Sequence, residues 1–327
     1  MVSFGRSKRV VNLVIEDYVI RMIENNGKNL SSIKQIKEKA LPKEVIKDGK
    51  IVDEIHFFSF MKNLVREWKI KHRNVRFYVP QSLVILRELD IPEDLNNEEI
   101  KQFITMEIGN TIHFPFRNPV FDLYDVPKDN DSNKVTVFAA PEEELIKYTN
   151  IFIDCTLKPI AVDVQALGIY RYFYLQQYQS VENKIFLILE CNLTSINISI
   201  FNNNKVEFIR HQVLNIDQKD WEADNNHPLQ WTFAGDKTRL HGELTDQIVE
   251  LERLMSFYQF SIHQGNKAVT DLIVTGDLAE LSNVIGDLKE RYSLPIHTLQ
   301  ASQTTQKKVQ IPKSFIPALG LALKGEK

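Results

Sequence analysis

Clusters of acidic side chains are the residues in this sequence whose spacing could support acid–base chemistry. Glu142, Glu143 and Glu144 are consecutive, and Glu98 and Glu99 form a second cluster. Both clusters lie where a predicted helix begins, and carboxylates at a helix N-terminus interact favourably with the helix dipole. We therefore interpret them as solvated helix starts rather than as a general acid and a general base.

The short motifs that mark common catalytic and phosphate-binding sites are missing from the sequence. It contains no G-x-S-x-G, H-E-x-x-H or G-x-G-x-x-G motif, and GNKAVTD at 265–271 is not a P-loop. The eight histidines and two cysteines show no metal-ligand spacing. Cys155 and Cys191 lie 36 residues apart in apolar contexts, which predicts two buried free thiols in a reducing compartment.

Length and composition indicate a large globular protein. The 327 residues are 43% hydrophobic and 25% charged, which is enough apolar material for two domains or one bilobal unit. A net charge of −3 predicts no general attraction to nucleic acid. Because no run of 18 apolar residues occurs, we expect no membrane span, and the basic-then-apolar start predicts a strand rather than a signal peptide.

Hydrophobic periodicity predicts alternating strands and helices along the chain. Two pairs of short strands are expected, at 9–24 with a tight turn at 16–18, and at 184–201 with its turn at 191–195. A polar turn is expected at 128–134, and the polar stretch 217–243 yields no assignment. Further helices are predicted at 52–68, 93–112, 141–157, from 165 onward, 244–264, 278–292 and 314–325, and further strands at 74–80, 83–92, 114–126, 135–141, 158–164, 205–216, 268–277 and 294–299.

Three ordered segments resemble the PilM family of type IV pilus assembly proteins and, more distantly, the division protein FtsA. They are 86–126, where a strand ending in Ile-Pro leads to an acidic helix and an extended strand, then 135–171 and 318–325. The resemblance and the repeated strand pair imply a bilobal actin-like (ribonuclease H-like) α/β fold with an inserted α+β subdomain. The implied divisions are 1–75 for the first lobe, 76–140 for the inserted partner-binding subdomain, 141–183 for the first lobe continued, 184–310 for the second lobe with a shortened insertion at about 206–243, and 311–327 for a C-terminal helix returning to the first lobe.

The resemblance also implies a nucleotide site built from two hairpin tips and a later turn. In working members of the superfamily, glycines let the tip backbone approach the phosphates, and an Asp in each tip serves metal and water. In this chain Val14 stands at the first Asp position and Glu16 at the glycine position, while Arg21 keeps the basic charge. Acidic side chains there would repel a polyphosphate by about 1 kcal/mol or more per pair of charges.

The second hairpin tip keeps more of the family pattern. Glu190 replaces the Asp, and Asn192 replaces a glycine, a position at which Asn tolerates left-handed geometry better than most residues. Thr194 and Ser195 could donate hydroxyl hydrogens to a phosphate, although hydroxyls at turns commonly bond to nearby backbone.

The later turn has lost part of its glycine run. Gly276 remains, but Asp277 stands at the next glycine position. We therefore expect a degenerate nucleotide site with no catalytic residue, no ATPase activity, no metal and no cofactor. ATP with Mg²⁺ is the alternative for the cofactor.

The resemblance further implies that the inserted subdomain forms part of a groove for the extended, apolar cytoplasmic tail of PilN, a single-span membrane protein. Such a tail would be held by backbone pairing and side-chain pockets. Because an extended strand buries alternate residues, about half of the candidates are expected to be ordinary core. The candidate groove residues are Ile112, Phe114, Phe116, Phe121 and Leu123 for apolar contacts, and Arg117 and Asn118 for polar ones.

The resulting expectation is a bacterial cytoplasmic scaffold, recruited to the inner face of the plasma membrane by a PilN-like partner. Pilus motor ATPases and a second copy are further candidate partners, and nucleic acid is not. Two alternatives stay open. An active actin-like ATPase is disfavoured by the altered first tip, and an FtsA-like division protein by the absence, after 318–327, of the linker and amphipathic helix usual in that family.

Overall fold

The computed structural model describes residues 9–26, 30–93, 95–125, 134–176, 182–224 and 228–325, so all but Lys134 of the turn expected at 128–134 lies outside the described residues. The α-helices are α1 (Glu54–Glu67), α2 (Asn97–Glu107), α3 (Glu142–Asp154), α4 (Gln165–Gln176), α5 (Lys237–Ser256), α6 (Leu281–Arg291) and α7 (Ile316–Ala322). The strands are β1 (Arg9–Ile15), β2 (Val19–Asn26), β3 (Gln35–Ala40), β4 (Ile46–Lys47), β5 (Lys50–Ile51), β6 (Asn74–Val79), β7 (Ile85–Asp90), β8 (Pro119–Asp125), β9 (Lys134–Pro141), β10 (Lys158–Val164), β11 (Ile185–Cys191), β12 (Ser195–Asn202), β13 (Lys205–Val213), β14 (Trp221–Ala223), β15 (Trp231–Phe233), β16 (Asp271–Gly276) and β17 (Ile296–Thr298).

The first large sheet has the order β10-β6-β1-β2-β3. Strands β1, β2 and β3 are antiparallel neighbours, whereas β6 and β10 run parallel to β1. The first two strands are apolar on both faces, as strands covered on both sides must be. Their turn falls at 16–18 as predicted, closed by a backbone hydrogen bond from Glu16 N to Val19 O of 3.0 Å.

The second large sheet repeats this arrangement in the order β13-β12-β11-β16-β17. Three antiparallel strands are again followed by two parallel ones. The duplication predicted from the two strand pairs is therefore confirmed. We call the first sheet with α1, α3, α4 and α7 the first lobe, and the second sheet with α5 and α6 the second lobe.

Helices α4 and α7 lie between the two lobes and share one apolar core with both sheets. They cross very closely, because a Cβ on Gly320 would lie 2.1 Å from the Gly168 carbonyl oxygen. Separate cores fill the outer sides, one beneath α1 and α3 and the other beneath α5 and α6. The lobes are therefore joined by apolar packing at α4 and α7, and we call this region the base.

A small α+β subdomain is inserted between β6 and α3. It consists of the antiparallel sheet β7-β9-β8, with α2 packed on one face through Ile100 and Ile104. Helix α2 begins at Asn97 rather than at 93, because Asn96 and Glu99 form a reciprocal capping box. It ends at Glu107 rather than at 112, where the backbone turns at Gly109 with φ of +88°.

Three further features differ from the predictions. The unassigned stretch 217–243 contains the hairpin β14–β15 and the first turns of α5. Helix α5 starts seven residues before the predicted 244, because the Asp236 side chain caps the helix by accepting a hydrogen bond from Thr238 N. A π-helix at Phe257–Ile262 follows α5. Strand β3 was not predicted, since QIKEKA carries too few apolar residues to mark a strand.

Three further findings concern the cysteines, membrane spans and metal ligands of the described part of the chain. Cys155 and Cys191 are buried free thiols, as predicted. No helix within the described ranges has both the length and the apolarity needed to cross a bilayer. Where the structure describes side chains, it brings no three potential metal ligands together.

Candidate functional site

A buried ion pair crosses the cleft between the two lobes. Arg21 on β2 donates from Nη1 to Asp277 Oδ2 at 2.5 Å and from Nε to Glu38 Oε2 at 3.1 Å. Tyr18 in the first tip donates its hydroxyl hydrogen to the same Asp277 oxygen at 2.8 Å. The side chains of Arg21 and Asp277 are only 3% and 7% exposed. The basic residue of the first tip is thus bound by carboxylates of the chain itself.

A second buried network joins Glu16 of the first tip to Glu190 of the second. Gln165 Nε2 donates to Glu16 Oε1 at 2.9 Å and to Glu190 Oε1 at 2.8 Å, and Asn197 Nδ2 donates to Glu190 Oε2 at 3.0 Å. Burial raises the pKa of Glu190 to about 7. Burial, followed by the negative charge of Glu190, raises the pKa of Glu16 well above its ordinary value. Desolvation and mutual repulsion therefore favour protonation of this carboxyl pair.

Both hairpin tips are held by contacts within the chain. The Asp17 carboxylate accepts hydrogen bonds from the backbone N–H groups of Asp48 at 2.6 Å and Gly49 at 3.0 Å. In the second tip, Asn192 N donates to Ser195 O at 2.8 Å, and the Thr194 carbonyl accepts from Leu214 N at 2.8 Å.

The candidate phosphate donors of the second tip face a small enclosed space. Thr194 and Ser195 line a cavity of about 30 Å³ together with Glu16 and Asp17. Asn192 is almost fully buried between the lobes, and the neighbouring Leu193 lies in the second-lobe core.

The structure of this site requires a glycine at position 276. Its φ is +123°, and a Cβ there would lie 2.0 Å from the Cys191 carbonyl oxygen. That oxygen also accepts a hydrogen bond from Leu278 N at 3.1 Å. The close approach of β11 and the turn after β16 therefore excludes any side chain at this position.

The interior of the cleft has little free volume. The cavity bordered by Glu16, Arg21, Glu190 and Asp277 measures about 10 Å³, and the two beside it measure about 20 and 30 Å³. Such volumes admit about one or two water molecules each. A larger groove of about 610 Å³ lies at the mouth of the cleft between residues 43–52 and 213–219, and Asp17 and Thr194 of the two tips also line it.

A separate apolar groove of about 320 Å³ separates the subdomain from the first lobe. Val120, Tyr124 and Phe138 line one wall, and Val162 and Leu167 line the other. Phe121 and Leu123 border the groove, but their side chains pack against the subdomain core. The walls include β8 and β10, which are edge strands of their sheets and so present unpaired backbone groups. Tyr124 fixes β8 against the second lobe, because its hydroxyl accepts a hydrogen bond from Val206 N at 3.0 Å.

Five of the seven predicted groove residues lie outside this cavity. Ile112 is buried in the subdomain core. Phe114 and Phe116 stack on each other, with ring centroids 5.8 Å apart. Arg117 and Asn118 are exposed in the turn before β8, where Asn118 has a φ of +48°. Phe121 and Leu123 border the groove, although their side chains pack against the same subdomain core as Ile112.

Several residues of the two sites were not predicted. Tyr18 and Gln165 complete the cleft network, and their sequence contexts carry no recognisable motif. Val162 and Leu167 complete the groove. A signal for the groove was present in KPIAVDV, where Ile160 and Val162 alternate with less exposed positions and remain 45% and 36% exposed. Apolar residues on the outer face of a strand indicate that something can cover it.

Two sheets with the same strand order, facing each other across a cleft, define this chain as an actin-like protein. A sequence model of the family described as "Type IV pilus assembly protein PilM" matches residues 13–326. The chain belongs to this family.

Solved structures show the same fold. The chain is similar to a protein of the "PilM-PilN type IV pilus biogenesis complex", with 18% identity and a TM-score of 0.77, covering 97% of this chain and 98% of that one. It is also similar to the cytoplasmic domain of EpsL, an inner membrane component of the type II secretion system of Vibrio cholerae, with 9% identity, a TM-score of 0.52, and coverage of 98% and 97%. No curated protein sequence matches the chain significantly.

Proposed function

We propose that this protein is a cytoplasmic scaffold of type IV pilus assembly, or of a related competence or secretion system. In this proposal its apolar groove holds the N-terminal cytoplasmic tail of a PilN-like inner-membrane protein. Membership of the PilM family supports the process, and the similar structure taken from a PilM–PilN complex supports the class of partner. The observation that carries the proposal is the groove of about 320 Å³ between β8 and β10.

The groove suits an extended apolar peptide. An added strand needs an edge with free backbone groups, and both β8 and β10 are edges. Its side chains need apolar pockets, which Val120, Phe138, Val162 and Leu167 supply. Binding of such a tail would hold the protein at the inner face of the plasma membrane.

The proposal includes a degenerate nucleotide site without ATPase activity. The guanidinium of Arg21, the basic group of the first tip, is occupied by Asp277 and Glu38. The small cavities around Glu16 and Glu190 leave no room for a triphosphate in the described conformation. These observations support a role in binding a partner rather than in catalysis.

Titration of a fluorescent tail peptide, taken from the PilN-like protein of the same organism, tests the proposal. We expect saturable binding, and we expect Val162→Lys to weaken it about tenfold or more, equivalent to about 1.4 kcal/mol. Ile153→Lys is the matched control, because Ile153 is equally apolar, is 54% exposed on α3 and lies outside the groove.

Two results would contradict this assignment. Absence of saturable binding up to tens of micromolar peptide would reject the tail as the ligand, and this threshold corresponds to about −6 to −7 kcal/mol of binding free energy. Equal weakening by both substitutions would reject the groove as the place of binding.

A further inference from the structure

The contacts between the lobes differ in kind from base to cleft. At the base, α4 and α7 join the lobes through apolar side chains that pack without fixed direction. In the cleft, the lobes meet mainly through directional polar contacts, beside an edge-on contact of the Tyr18 and Trp231 rings. These contacts are the Arg21–Asp277 ion pair, whose residues are 256 positions apart in the chain, and the hydrogen bonds from Gln165 to Glu190 and from Leu229 N to Glu38. The base can therefore act as a pivot, whereas the directional cleft contacts require one particular separation of the lobes.

Opening of the cleft would affect Arg21 and Asp277 unequally. Arg21 would keep Glu38, which lies on the neighbouring strand β3 of its own sheet, 3.1 Å from the guanidinium. Asp277 Oδ2 would lose both the guanidinium and the Tyr18 hydroxyl, its two donors from the first lobe. Hydrogen bonds to charged groups are stronger than neutral ones, so this loss opposes opening.

We propose that the Arg21–Asp277 pair, together with the Tyr18 hydroxyl, is an internal latch that holds the two lobes closed without any bound ligand. A buried ion pair adds little net stability compared with apolar packing, but removal of one partner leaves a costly unpaired charge. The pair therefore specifies the relative position of the lobes. This goes beyond the proposed function, because it concerns the arrangement of the lobes and requires no tail partner.

The distance across the mouth of the cleft measures the closure directly. Lys47 and Lys219 are exposed on opposite lobes and belong to the two segments that line the groove of about 610 Å³. Spin labels at Lys47→Cys and Lys219→Cys report their separation by double electron–electron resonance. The native Cys155 and Cys191 are 3% and 0% exposed, so labelling is directed to the introduced thiols.

We expect Asp277→Asn to shift the label distances to larger values and to broaden their distribution. Asp271→Asn is the matched control, because Asp271 is also buried and ion-paired, but its partner Lys184 lies in the same lobe. The control should retain the wild-type distances even if its melting temperature falls.

Unchanged distances in folded Asp277→Asn protein would overturn the latch. If that variant does not fold, Tyr18→Phe decides the question, since it removes one donor to Asp277 and keeps the ring. A longer or broader distribution in Tyr18→Phe supports the latch, and a wild-type distribution rejects it. The tail peptide is absent from these measurements, so failure of the proposed function would leave their outcome unaffected.

Discussion

At the scale of residues, the buried charged groups of the cleft are tolerated because nearly every one has a hydrogen-bonding or ion-pair partner. The Gln165 amide donates one hydrogen bond to Glu16 and one to Glu190, and Asn197 satisfies the second Glu190 oxygen. A buried polar network with satisfied members rigidifies a structure, whereas an unpaired member would destabilise it. What remains is a surplus of carboxyl groups around a single guanidinium, and that surplus makes the site sensitive to pH.

Glu190→Gln should reduce the dependence of stability on pH. In the wild type, the folded-state pKa of Glu190 is about 7, above its ordinary value of 4.5. Because the folded state holds the proton more tightly, this contribution is fully present below the unfolded pKa and is lost as pH rises toward 7. Burial is the main cause of the raised pKa, and the charge of Asp277 adds to it, whereas the hydrogen bonds from Asn197 and Gln165 and the charge of Arg21 lower the pKa. The resulting loss in the free energy of unfolding as pH rises is on the order of 3 kcal/mol.

Urea unfolding at about pH 5 and about pH 8 measures this difference. The wild type should lose stability between the two conditions, and Glu190→Gln should lose clearly less. The exposed surface variant Glu143→Gln should lose as much as the wild type. An unchanged loss in Glu190→Gln would show that this carboxyl does not govern the pH dependence.

At the scale of elements, the turn after β16 is pressed against the end of β11. Gly276→Ala should destabilise the protein by about 2 kcal/mol or more, because the new Cβ meets the Cys191 backbone and the residue has a positive φ. Gly286→Ala in α6 is the control, since nothing lies within 4 Å of its added Cβ. It should be neutral or up to about 1 kcal/mol stabilising, as alanine favours a helix.

Thermal or urea unfolding of the two glycine variants provides the comparison. A Gly276→Ala protein as stable as the wild type would mean that β11 and β16 can separate at little cost. The same observation would weaken the interpretation of this glycine as a packing requirement.

At the scale of the whole molecule, the two lobes keep a common strand order while the space between them is filled by side chains. We expect Mg-ATP to leave the melting temperature unchanged. A ligand present at a hundred times its dissociation constant would add about 2.7 kcal/mol of stability, which a thermal-shift assay detects. Magnesium with inorganic triphosphate serves as the control for unspecific effects of a polyanion.

A saturable rise of several degrees with Mg-ATP, but not with triphosphate, would contradict this expectation. It would show that the cleft opens to admit a nucleotide, and the alternative of an active actin-like ATPase would then regain support. The proposed tail groove lies elsewhere on the molecule and would be unaffected by that result.

The sequence by itself determined the fold class, the family and most of the helices and strands. These depend on hydrophobic periodicity and on ordered segments such as 86–126, which are properties of neighbouring residues. It also identified the substitutions Val14, Glu16 and Asp277. Strand β3 and the start of α5 were missed because their residues carry weak apolar periodicity, and packing against other elements defines them.

Only the tertiary structure decided which side chains meet. The sequence placed Arg21 and Asp277 in one region by resemblance, but it contained no sign that they pair across 256 positions. Within 111–123 it could not show which face of an extended segment points outward. That choice depends on the position of β10 and α4, which form the other wall of the groove. Contacts between distant elements follow from how the lobes pack, and local pattern carries no information about that packing.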